Sequence, residues 1–403
     1  MLNGIAVAPP SPRSQNFHLS FTTHRGKGMD AVILNKEEQN VNEQQFKSPL
    51  HQMVSTSDSV LWNDSCAIEE LEYAVDHGAV GATCNPVIVG EVLQKEMHLW
   101  KDRIIQLIRD MPTATEDDIT WRLIEEMSVK GAELLKPIFD REKGKNGRLS
   151  IQTDPKCYRN AEAMVKQAVH FHNLAPNMIV KLPVTRAGVE AIEEATYRGV
   201  SINATICFTL PQCLAVAEAV QRGLKRREQG GEDIGRMGPV CTIMVGRLDD
   251  WLKLLTEKDK IITNPGYLEW AGVAVMKKTY KIFRERGHPL RLLSAAFRNH
   301  MHWSEFIGGD IVISPPCDWQ KRFNASDVEV KDRIDQPVAG TIVAELLEKF
   351  RDFRRAYEED GLSVEEFDHF GPTRRTLRQF IRGYQDLASV IRDFMMPNPD
   401  TES

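Results

Sequence analysis

The chain of 403 residues is long enough for one large domain or two ordinary ones, and its 42% apolar content can supply a sizeable core. The 51 basic and 57 acidic residues give a formal charge of −6, which argues against a protein that binds nucleic acid or another polyanion. No apolar run approaches the roughly 18–20 residues that cross a membrane. The seven cysteines form no CxxC pair, which suits a reducing compartment.

The first 29 residues are rich in Ser, Pro, Arg and His and contain no acidic residue. This composition is compatible with an organellar transit peptide and equally with an ordinary tail. We therefore expect a disordered N-terminal tail over residues 1–56. We expect a cytoplasmic protein, with mitochondrial or plastid targeting as the alternative.

Eight short apolar segments, separated by amphipathic helical patterns, follow the tail. The predicted strands are residues 60–64, 80–85, 149–154, 178–184, 201–208, 240–247, 291–297 and 310–316. Strands that are apolar on both faces and separated by helical crossovers are typical of a parallel sheet. Because eight such strands can close on themselves, we predict an α/β fold, a (β/α)8 TIM barrel over residues 57–330, rather than an open doubly wound sheet.

Two further helical regions extend this pattern. The segment from Val87 to Gly147 is expected to hold about three helices after the second strand. Residues 331–403 are expected to form a helical extension packed on the barrel, or an oligomer contact such as a homodimer interface. No GxGxxG and no GxxxxGK[ST] follows a predicted strand, so the sequence has no signature of a dinucleotide site or a P-loop.

Polar residues recur at the carboxyl ends of the predicted strands, where barrel enzymes place their active sites. A single polar residue in a strand is more often structural, but eight strands would bring these residues to one end of a barrel. In chain order they are Asp64, Asn85, Gln152, Asp154, Lys181, Asn203, Thr205, Arg247, Arg298 and Asn299.

Lys181 stands inside an apolar strand, on the same face as Ile179 and Pro183. If this face points into the barrel, burial lowers the pKa of the amine and makes it a nucleophile toward carbonyl groups. The alternative is a lysine that reaches solvent or pairs with a buried carboxylate. Asp64 could then act as general acid and base, and Arg247 and Arg298 could hold a phosphate, although each arginine alone is compatible with a surface salt bridge.

Other chemistries have weaker signals. The histidines of "HFH" (170–172) and "NHMHW" (299–303) belong to no HExxH motif or Cys/His set, so no metal site is expected. No GxSxG motif indicates a serine nucleophile.

Several blocks resemble the transaldolase family, in the family's order: "LWNDS", "GATCNP", "MIVKLPVTRAGVEAIEEATYRGVSINATICFTLPQ", "VGR" and "AAFRN". They cover roughly residues 57–325, and the lysine block with the following N-A-T strand is the most specific. The resemblance implies a class I aldolase-type barrel that forms a Schiff base with a ketose phosphate. It would cleave C3–C4 and transfer the dihydroxyacetone unit to an aldose phosphate, as in the pentose phosphate pathway.

The resemblance also implies roles for single residues. Lys181 would be the Schiff-base lysine, Asp64 the acid/base for the C4 hydroxyl, and Thr205 a residue that positions a catalytic water. The candidates for substrate binding are Asn85, Asn203, Thr242, Met244, Arg247, Ala296 and Arg298, with the two asparagines on the three-carbon unit and the two arginines on the phosphate. No metal or organic cofactor is expected, because the iminium is the electron sink.

Three positions depart from the transaldolase pattern. Gln152 stands where transaldolases carry Glu and where the family's fructose-6-phosphate aldolases carry Gln. Met244 stands where these two groups carry Phe and Tyr, and Ala296 replaces a serine that assists phosphate binding. The alternatives are therefore an aldolase of the fructose-6-phosphate type, a transferase for an unusual sugar, and a catalytically silent protein that binds sugar phosphates.

Overall fold

A computed structural model describes residues 46–400 of the chain, so most of the predicted tail lies outside the described residues. Eight strands are present: β1 Val60–Asn63, β2 Ala79–Thr83, β3 Arg148–Gln152, β4 Met178–Pro183, β5 Ile202–Cys207, β6 Val240–Ile243, β7 Arg291–Ser294 and β8 Ile311–Ile313. Each pairs in parallel with the next, and β8 pairs with β1, which closes the barrel. The predicted TIM-barrel fold is confirmed.

The helices surround this barrel. They are α1 Pro49–Thr56, α2 Ile68–Asp76, α3 Pro86–Asp110, α4 Glu116–Arg141, α5 Ala161–His172, α6 Arg186–Tyr197, α7 Leu210–Gln229, α8 Val245–Asp259, α9 Pro265–Leu268, α10 Ala271–Arg286, α11 Met301–Ser304, α12 Cys317–Asn324, α13 Gly340–Lys349, α14 Arg351–Tyr357 and α15 Gly371–Met395. Two 3-10 turns, Pro155–Cys157 and Val364–His369, complete the elements. None of the helices within residues 46–400 has the length and apolar content needed to span a bilayer.

Polar residues just after a strand turn the chain into the next helix. The side chain of Asn85 accepts a hydrogen bond from the Ile88 amide at 3.0 Å and begins α3. Thr185 caps α6 through the Gly188 amide at 3.0 Å, and a similar threonine caps α7. Such caps satisfy amides that the first helical turn leaves without a partner. They fix these strand-to-helix turns at the end of the barrel formed by the carboxyl ends of the strands, called the mouth below.

The sixth strand is shorter than predicted. It ends at Ile243, and α8 begins at Val245, so Arg247 lies in the first turn of a helix rather than on the strand. The seventh strand likewise ends at Ser294, before Arg298. A continuous apolar run cannot distinguish a strand from the buried start of a helix by periodicity, which explains the difference at β6. After Ser294 the chain leaves the strand conformation, and Ala296 has a φ of 64°.

Between β2 and β3 the structure has two helices instead of about three. The first, α3, is interrupted at Glu96, whose φ of −114° and ψ of 22° leave the helical region. The second, α4, begins with a capping box between Thr115 and Asp118.

Both ends of the described chain contain helices that pack on the barrel. Helix α1 falls within the span assigned to the tail, yet Leu50 and Met53 on it are fully buried. Helix α15 packs along α3 and α4 and also contacts β5 and α8. The apolar face of α15 therefore lies against the barrel.

Candidate active site

Lys181 lies on the inner face of the barrel. Ile179, two residues earlier on the same face, packs in an inner cluster with side chains of β1, β6, β7 and β8. Val180 and Leu182, on the other face, pack in the layer between the strands and the helices. Strand alternation therefore directs the Lys181 side chain inward.

The surroundings of Lys181 favour its neutral form. The residue is 6% exposed, and its Nζ makes no hydrogen bond with any described residue. Burial lowers the pKa of the amine, and the carboxylate of Asp64 offsets only part of this effect. In the strand register Lys181 lies between Gln152 on β3 and Asn203 on β5.

Asp64 directly follows β1 and is held by its neighbours. Its Oδ1 accepts a hydrogen bond from the hydroxyl of Thr83, the last residue of β2. Its backbone amide donates to the Pro315 carbonyl at 3.2 Å. Within residues 46–400 the second oxygen, Oδ2, has no hydrogen-bond partner. One carboxylate oxygen is thus positioned by the barrel wall, and the other makes no such contact with a described residue.

Asn203 belongs to a buried hydrogen-bond chain across three strands. The hydroxyl of Thr242 donates to its Oδ1 at 2.7 Å, and its Nδ2 donates to the Ser150 hydroxyl at 3.1 Å. All three side chains are buried. These contacts fix which end of the Asn203 amide carries the N–H groups, and they leave one N–H for another acceptor. Thr242 therefore orients Asn203 in this structure.

Asn85 uses only part of its hydrogen-bonding capacity as the cap of α3. Its Oδ1 accepts from the Ile88 amide, while its Nδ2 has no partner in the described part of the chain. The side chain is buried at the end of β2. Like Asn203, it keeps amide donors available near the mouth.

Gln152 and Thr205 lie on either side of the lysine strand. The Oε1 atom of Gln152 is buried without a hydrogen-bond partner among the described residues, a state that costs about 1–3 kcal/mol. Thr205 is buried at the register position of Pro183. The next residue, Ile206, has a φ of 57°, and the pairing of β5 with β6 shifts there. A β-branched residue in this region is strained, and such strain is typical of functional sites.

Arg247 is partly buried in the first turn of α8. Its Nη1 donates to Gln379 Oε1 at 2.5 Å, and its Nε is buried without a partner within the described range. Burial, together with the nearby cation of Arg298, lowers the pKa of Arg247 to about 10. A second cation beside a desolvated guanidinium favours binding of an anion there.

Arg298 is exposed and anchored at several points. Its guanidinium pairs with Asp250 at 2.8 Å, and its backbone amide donates to Nδ1 of His302 at 3.0 Å. Since Nδ1 accepts, the proton of His302 is on Nε2, which donates to the fully buried Asp249 at 2.8 Å. His302, considered above as a metal ligand, holds the backbone of Arg298.

Close backbone packing brings α8 to the loop that carries Ala296. A Cβ atom on Gly246 would lie 2.1 Å from the Ala296 carbonyl oxygen, so only glycine fits there. Ala296 itself has a φ of 64°. Met244 is buried at the turn between β6 and α8.

Two polar residues among the strand-end candidates have structural partners. Asp154 caps a 3-10 turn through the Lys156 amide at 2.8 Å. Asn299 donates to Glu269 at 2.7 Å and accepts from the Met301 amide at 2.9 Å. These contacts account for both side chains.

The sequence did not indicate Gln379 or a group of three cysteines. Gln379 reaches Arg247 from α15, and no local motif predicts a contact between residues so far apart in the chain. The sulfurs of Cys207, Cys213 and Cys241 all lie within 4.8 Å of one another, and the three residues are fully buried in the layer between strands and helices. Three thiols at these separations could hold a metal ion, but their sequence spacing forms no recognised motif.

Comparison with known proteins gives a consistent result. A family model described as Transaldolase/Fructose-6-phosphate aldolase matches residues 61–368, more than half of the chain. The chain belongs to this family. The resemblance found in the sequence is confirmed, and the family match includes Asp64, Lys181 and both arginines.

Relatives named transaldolase match part of the chain. The protein of Thermobifida fusca is 30% identical over 227 residues, which cover 53% of this chain and 57% of that protein. Transaldolase 2 of Streptomyces avermitilis is 32% identical over 216 residues, or 51% and 55%. The transaldolase of Acidothermus cellulolyticus is 28% identical over 224 residues, or 52% and 56%. The chain thus spans a little over half the length of these relatives.

Proposed function

We propose that this family member is a transaldolase-type enzyme that transfers a dihydroxyacetone unit between sugar phosphates through a Schiff base on Lys181. The observation that carries the proposal is the buried Lys181 amine, which has a lowered pKa and no hydrogen bond to a described residue. A lowered pKa raises the fraction of neutral amine, which is the form that attacks carbonyl groups.

In the first step, Nζ of Lys181 attacks the C2 carbonyl of a ketose phosphate, and loss of water leaves an iminium ion. The amides of Asn85 and Asn203 donate hydrogen bonds to the hydroxyls of the three-carbon unit. Their free N–H groups support this role, because a buried donor is stabilised by an acceptor on the substrate.

In the second step, Asp64 removes the proton of the C4 hydroxyl and the C3–C4 bond breaks. The electron pair of that bond moves into the iminium to give an enamine, and the aldehyde leaves. Attack of the enamine carbon on an acceptor aldehyde forms the new bond, and Asp64 returns the proton to the new hydroxyl. Water oriented by Gln152 and Thr205 then hydrolyses the iminium and frees Lys181.

We further propose that Arg247 and Arg298 bind the substrate phosphate. The buried Nε of Arg247 and its lowered pKa support this role, because a phosphate supplies both the missing acceptor and the missing negative charge. The start of α8 adds backbone amides that favour an anion.

Gln152 supports a second candidate, simple aldol cleavage of the fructose-6-phosphate type. An amide can orient a water molecule but cannot exchange its proton, so it changes the balance between hydrolysis and transfer. In this case the enamine carbon is protonated instead of attacking an acceptor, and water then hydrolyses the resulting iminium to release dihydroxyacetone and free Lys181.

The test is a transfer assay with fructose 6-phosphate as donor and erythrose 4-phosphate as acceptor. We expect sedoheptulose 7-phosphate and glyceraldehyde 3-phosphate as products, and a loss of about a thousandfold or more in Lys181→Met. Formation of dihydroxyacetone with no seven-carbon product would favour the aldolase. Lack of turnover with a panel of ketose phosphates would overturn the enzymatic proposal.

Lys277 provides the matched control. It is also buried with a lowered pKa, but its Nζ donates to Glu305 at 2.6 Å and to two carbonyl oxygens at 2.8 Å. We expect Lys277→Met to leave kcat unchanged after correction for folded protein. An equal loss in both variants would mean that the effect of Lys181 is structural.

A further inference from the structure

A cavity of about 590 Å³ lies at the opposite end of the barrel from the mouth. Its walls come from the segments that precede β3, β6, β7 and β8, together with the last two turns of α10. We call it the basal cavity. Its volume is in the range of pockets that hold a small metabolite.

Cations dominate the walls of the basal cavity, although the chain as a whole is acidic. Asp310 is the carboxylate among the lining residues. The cationic residues are Lys143, Lys145, Arg148, Arg236, Arg284 and Arg291. Such a concentration of one sign in a concave site attracts anions.

Only two of these cations have carboxylate partners within residues 46–400. Arg291 pairs with Asp310 at 3.1 Å, and Arg284 pairs with Asp335 at 3.0 Å. Lys143, Lys145 and Arg236 are exposed at the rim, and none of the three forms an ion pair with a described residue.

Arg148 is the strongest indication of a missing anion. It is 3% exposed, yet no described carboxylate lies within salt-bridge distance of it. Its guanidinium donates to the Gly144 carbonyl at 3.0 Å, to the Ser201 hydroxyl at 3.2 Å and to the Arg236 carbonyl. These neutral acceptors orient the guanidinium but do not neutralise it. A buried charge without a counter-charge is costly, and an anion in the cavity would offset that cost.

Two other lining residues keep buried polar atoms without a partner among the described residues. Trp62 is 1% exposed, and its indole Nε1 makes no hydrogen bond; Nε2 of His288 is likewise buried and unpaired. The indole N–H of Trp62 is a donor and would be stabilised by a ligand rich in acceptor oxygens, and the imidazole of His288 can offer a second N–H in one of its tautomers. The rings of Trp62, Tyr280 and Phe283 add apolar surface for the rest of such a ligand.

We propose that the basal cavity is a second ligand site, which binds a phosphorylated small molecule. Phosphate matches the site because it offers several acceptor oxygens and a double negative charge to guanidinium and ammonium groups. The aromatic surface indicates a ligand with a sugar or a base attached to the phosphate. The proposal does not depend on the activity proposed for the mouth.

Inorganic pyrophosphate is the first ligand to test. Its binding is measured by isothermal titration calorimetry and located by hydrogen–deuterium exchange. We expect saturable binding and slower exchange in residues 143–148 and 235–240. In Lys145→Ala/Arg236→Ala the affinity of this site should fall at least about tenfold, because two unpaired phosphate-facing cations are lost. Both residues are exposed and unpaired with described residues, so the variant should fold.

A second double variant controls for net charge. Lys101 and Lys166 are exposed, form no ion pair with a described residue and do not line the cavity, and Lys101→Ala/Lys166→Ala should bind pyrophosphate like the wild type. An equal loss in both double variants would overturn the proposal, as would protection confined to the mouth around Arg247 and Arg298. Adenosine 5′-phosphate and ribose 5-phosphate then show whether the ligand carries a base or only a sugar beside its phosphate. Tighter binding of adenosine 5′-phosphate would indicate that the aromatic side chains of the cavity contact a base.

Discussion

At the scale of single residues, Lys181 and Lys277 show that burial alone does not make a nucleophile. Both amines have a pKa lowered mainly by burial. Lys277 donates to a carboxylate and two carbonyl oxygens, so its ammonium is stabilised and its lone pair is not available. Lys181 has no such partner among the described residues. The difference in hydrogen bonding, rather than the direction of the pKa shift, supports the nucleophilic role proposed for Lys181.

The lowered pKa of Lys181 predicts a pH-dependent gain in stability for Lys181→Met. Below 10.5, the ordinary pKa of lysine, the unfolded chain holds the proton more tightly than the folded protein, so the lysine disfavours folding. This penalty is fully present below the folded pKa and disappears as the pH rises from the folded pKa to 10.5. We therefore expect the variant to be more stable than the wild type at pH 7 in urea unfolding.

The control is the same measurement near pH 10, where the advantage of Lys181→Met should shrink. Methionine is unbranched and fills the space of the lysine stem, so packing changes little between the two conditions. A gain that grows with pH, or a loss at pH 7, would contradict a depressed pKa.

We expect the substitution Gln152→Glu to change the balance between transfer product and free dihydroxyacetone. A carboxyl group beside Lys181 can pass protons to and from the hydrolytic water, which the amide cannot. Because transaldolases carry Glu at this position and the family's fructose-6-phosphate aldolases carry Gln, we expect the ratio of transfer product to free dihydroxyacetone to rise about tenfold, as read by mass spectrometry. A ratio is the appropriate measure, because the new charge also raises the pKa of Lys181 and changes the overall rate. An unchanged ratio would remove Gln152 from the proposed water site.

At the scale of elements, the packing of α8 against the Ala296 loop depends on Gly246. A Cβ atom there would lie 2.1 Å from a backbone oxygen that cannot move easily. We expect Gly246→Ala to lower the free energy of unfolding by about 2–3 kcal/mol and to raise KM for a phosphorylated substrate. The loss of stability arises from the steric clash, and the rise in KM is expected because α8 and the loop carry Arg247 and Arg298, the proposed phosphate ligands.

Gly90 in α3 is the matched control for this substitution. A Cβ atom on Gly90 meets no atom within 4 Å, so Gly90→Ala should stabilise the protein by about 0.5–1 kcal/mol through helix propensity. If both variants lose the same stability, close packing at Gly246 is not the cause.

Helix α15 contributes Gln379 to the surroundings of Arg247. The 2.5 Å contact with Gln379 Oε1 holds the guanidinium in place. We expect Gln379→Ala to raise KM for fructose 6-phosphate about three- to tenfold and to leave kcat nearly unchanged, because positioning of the phosphate is affected and the chemistry at Lys181 is not. With fructose, which lacks the phosphate, the effect should vanish. An equal effect on both sugars would argue against a role in phosphate binding.

The boundaries of elements show where sequence patterns stop being informative. A strand has a fixed period of two, so the sequence placed Lys181 on the face of Ile179 and Pro183 but left open whether that face points into the barrel. The structure shows that it does. The position of Arg247 did not follow from the sequence, because the apolar run of β6 continues into the buried first turn of α8. Periodicity cannot separate these two states over a few residues.

At the scale of the whole molecule, α15 is part of the fold rather than an appendage. Five large side chains on it, Leu377, Phe380, Tyr384, Leu387 and Ile391, are buried. At about 2 kcal/mol each, their burial contributes roughly 10 kcal/mol, comparable with the total stability of a typical protein. We expect a chain that ends at residue 370 to lose cooperative thermal unfolding and to aggregate. A soluble truncated protein with an unchanged Tm would contradict this account.

The sequence predicted the barrel, because its strands and helices are short segments with a clear period. The roles of the polar residues at the strand ends stay predictions. The sequence did not predict the contact of Gln379 with Arg247 or the meeting of the three cysteines, which join segments distant in the chain. The sequence did not indicate the basal cavity for the same reason, because its cations come from segments that are distant in the chain. Only the closed barrel brings them together.

The central claim is that Lys181 forms a Schiff base with a ketose phosphate, and borohydride trapping tests it most directly. The protein is incubated with fructose 6-phosphate, reduced with borohydride, digested, and mapped by peptide mass spectrometry. We expect a three-carbon adduct on Lys181, no adduct on Lys277, and none in Lys181→Met. An adduct on another lysine, or no adduct with any of a panel of ketose phosphates, would contradict the claim.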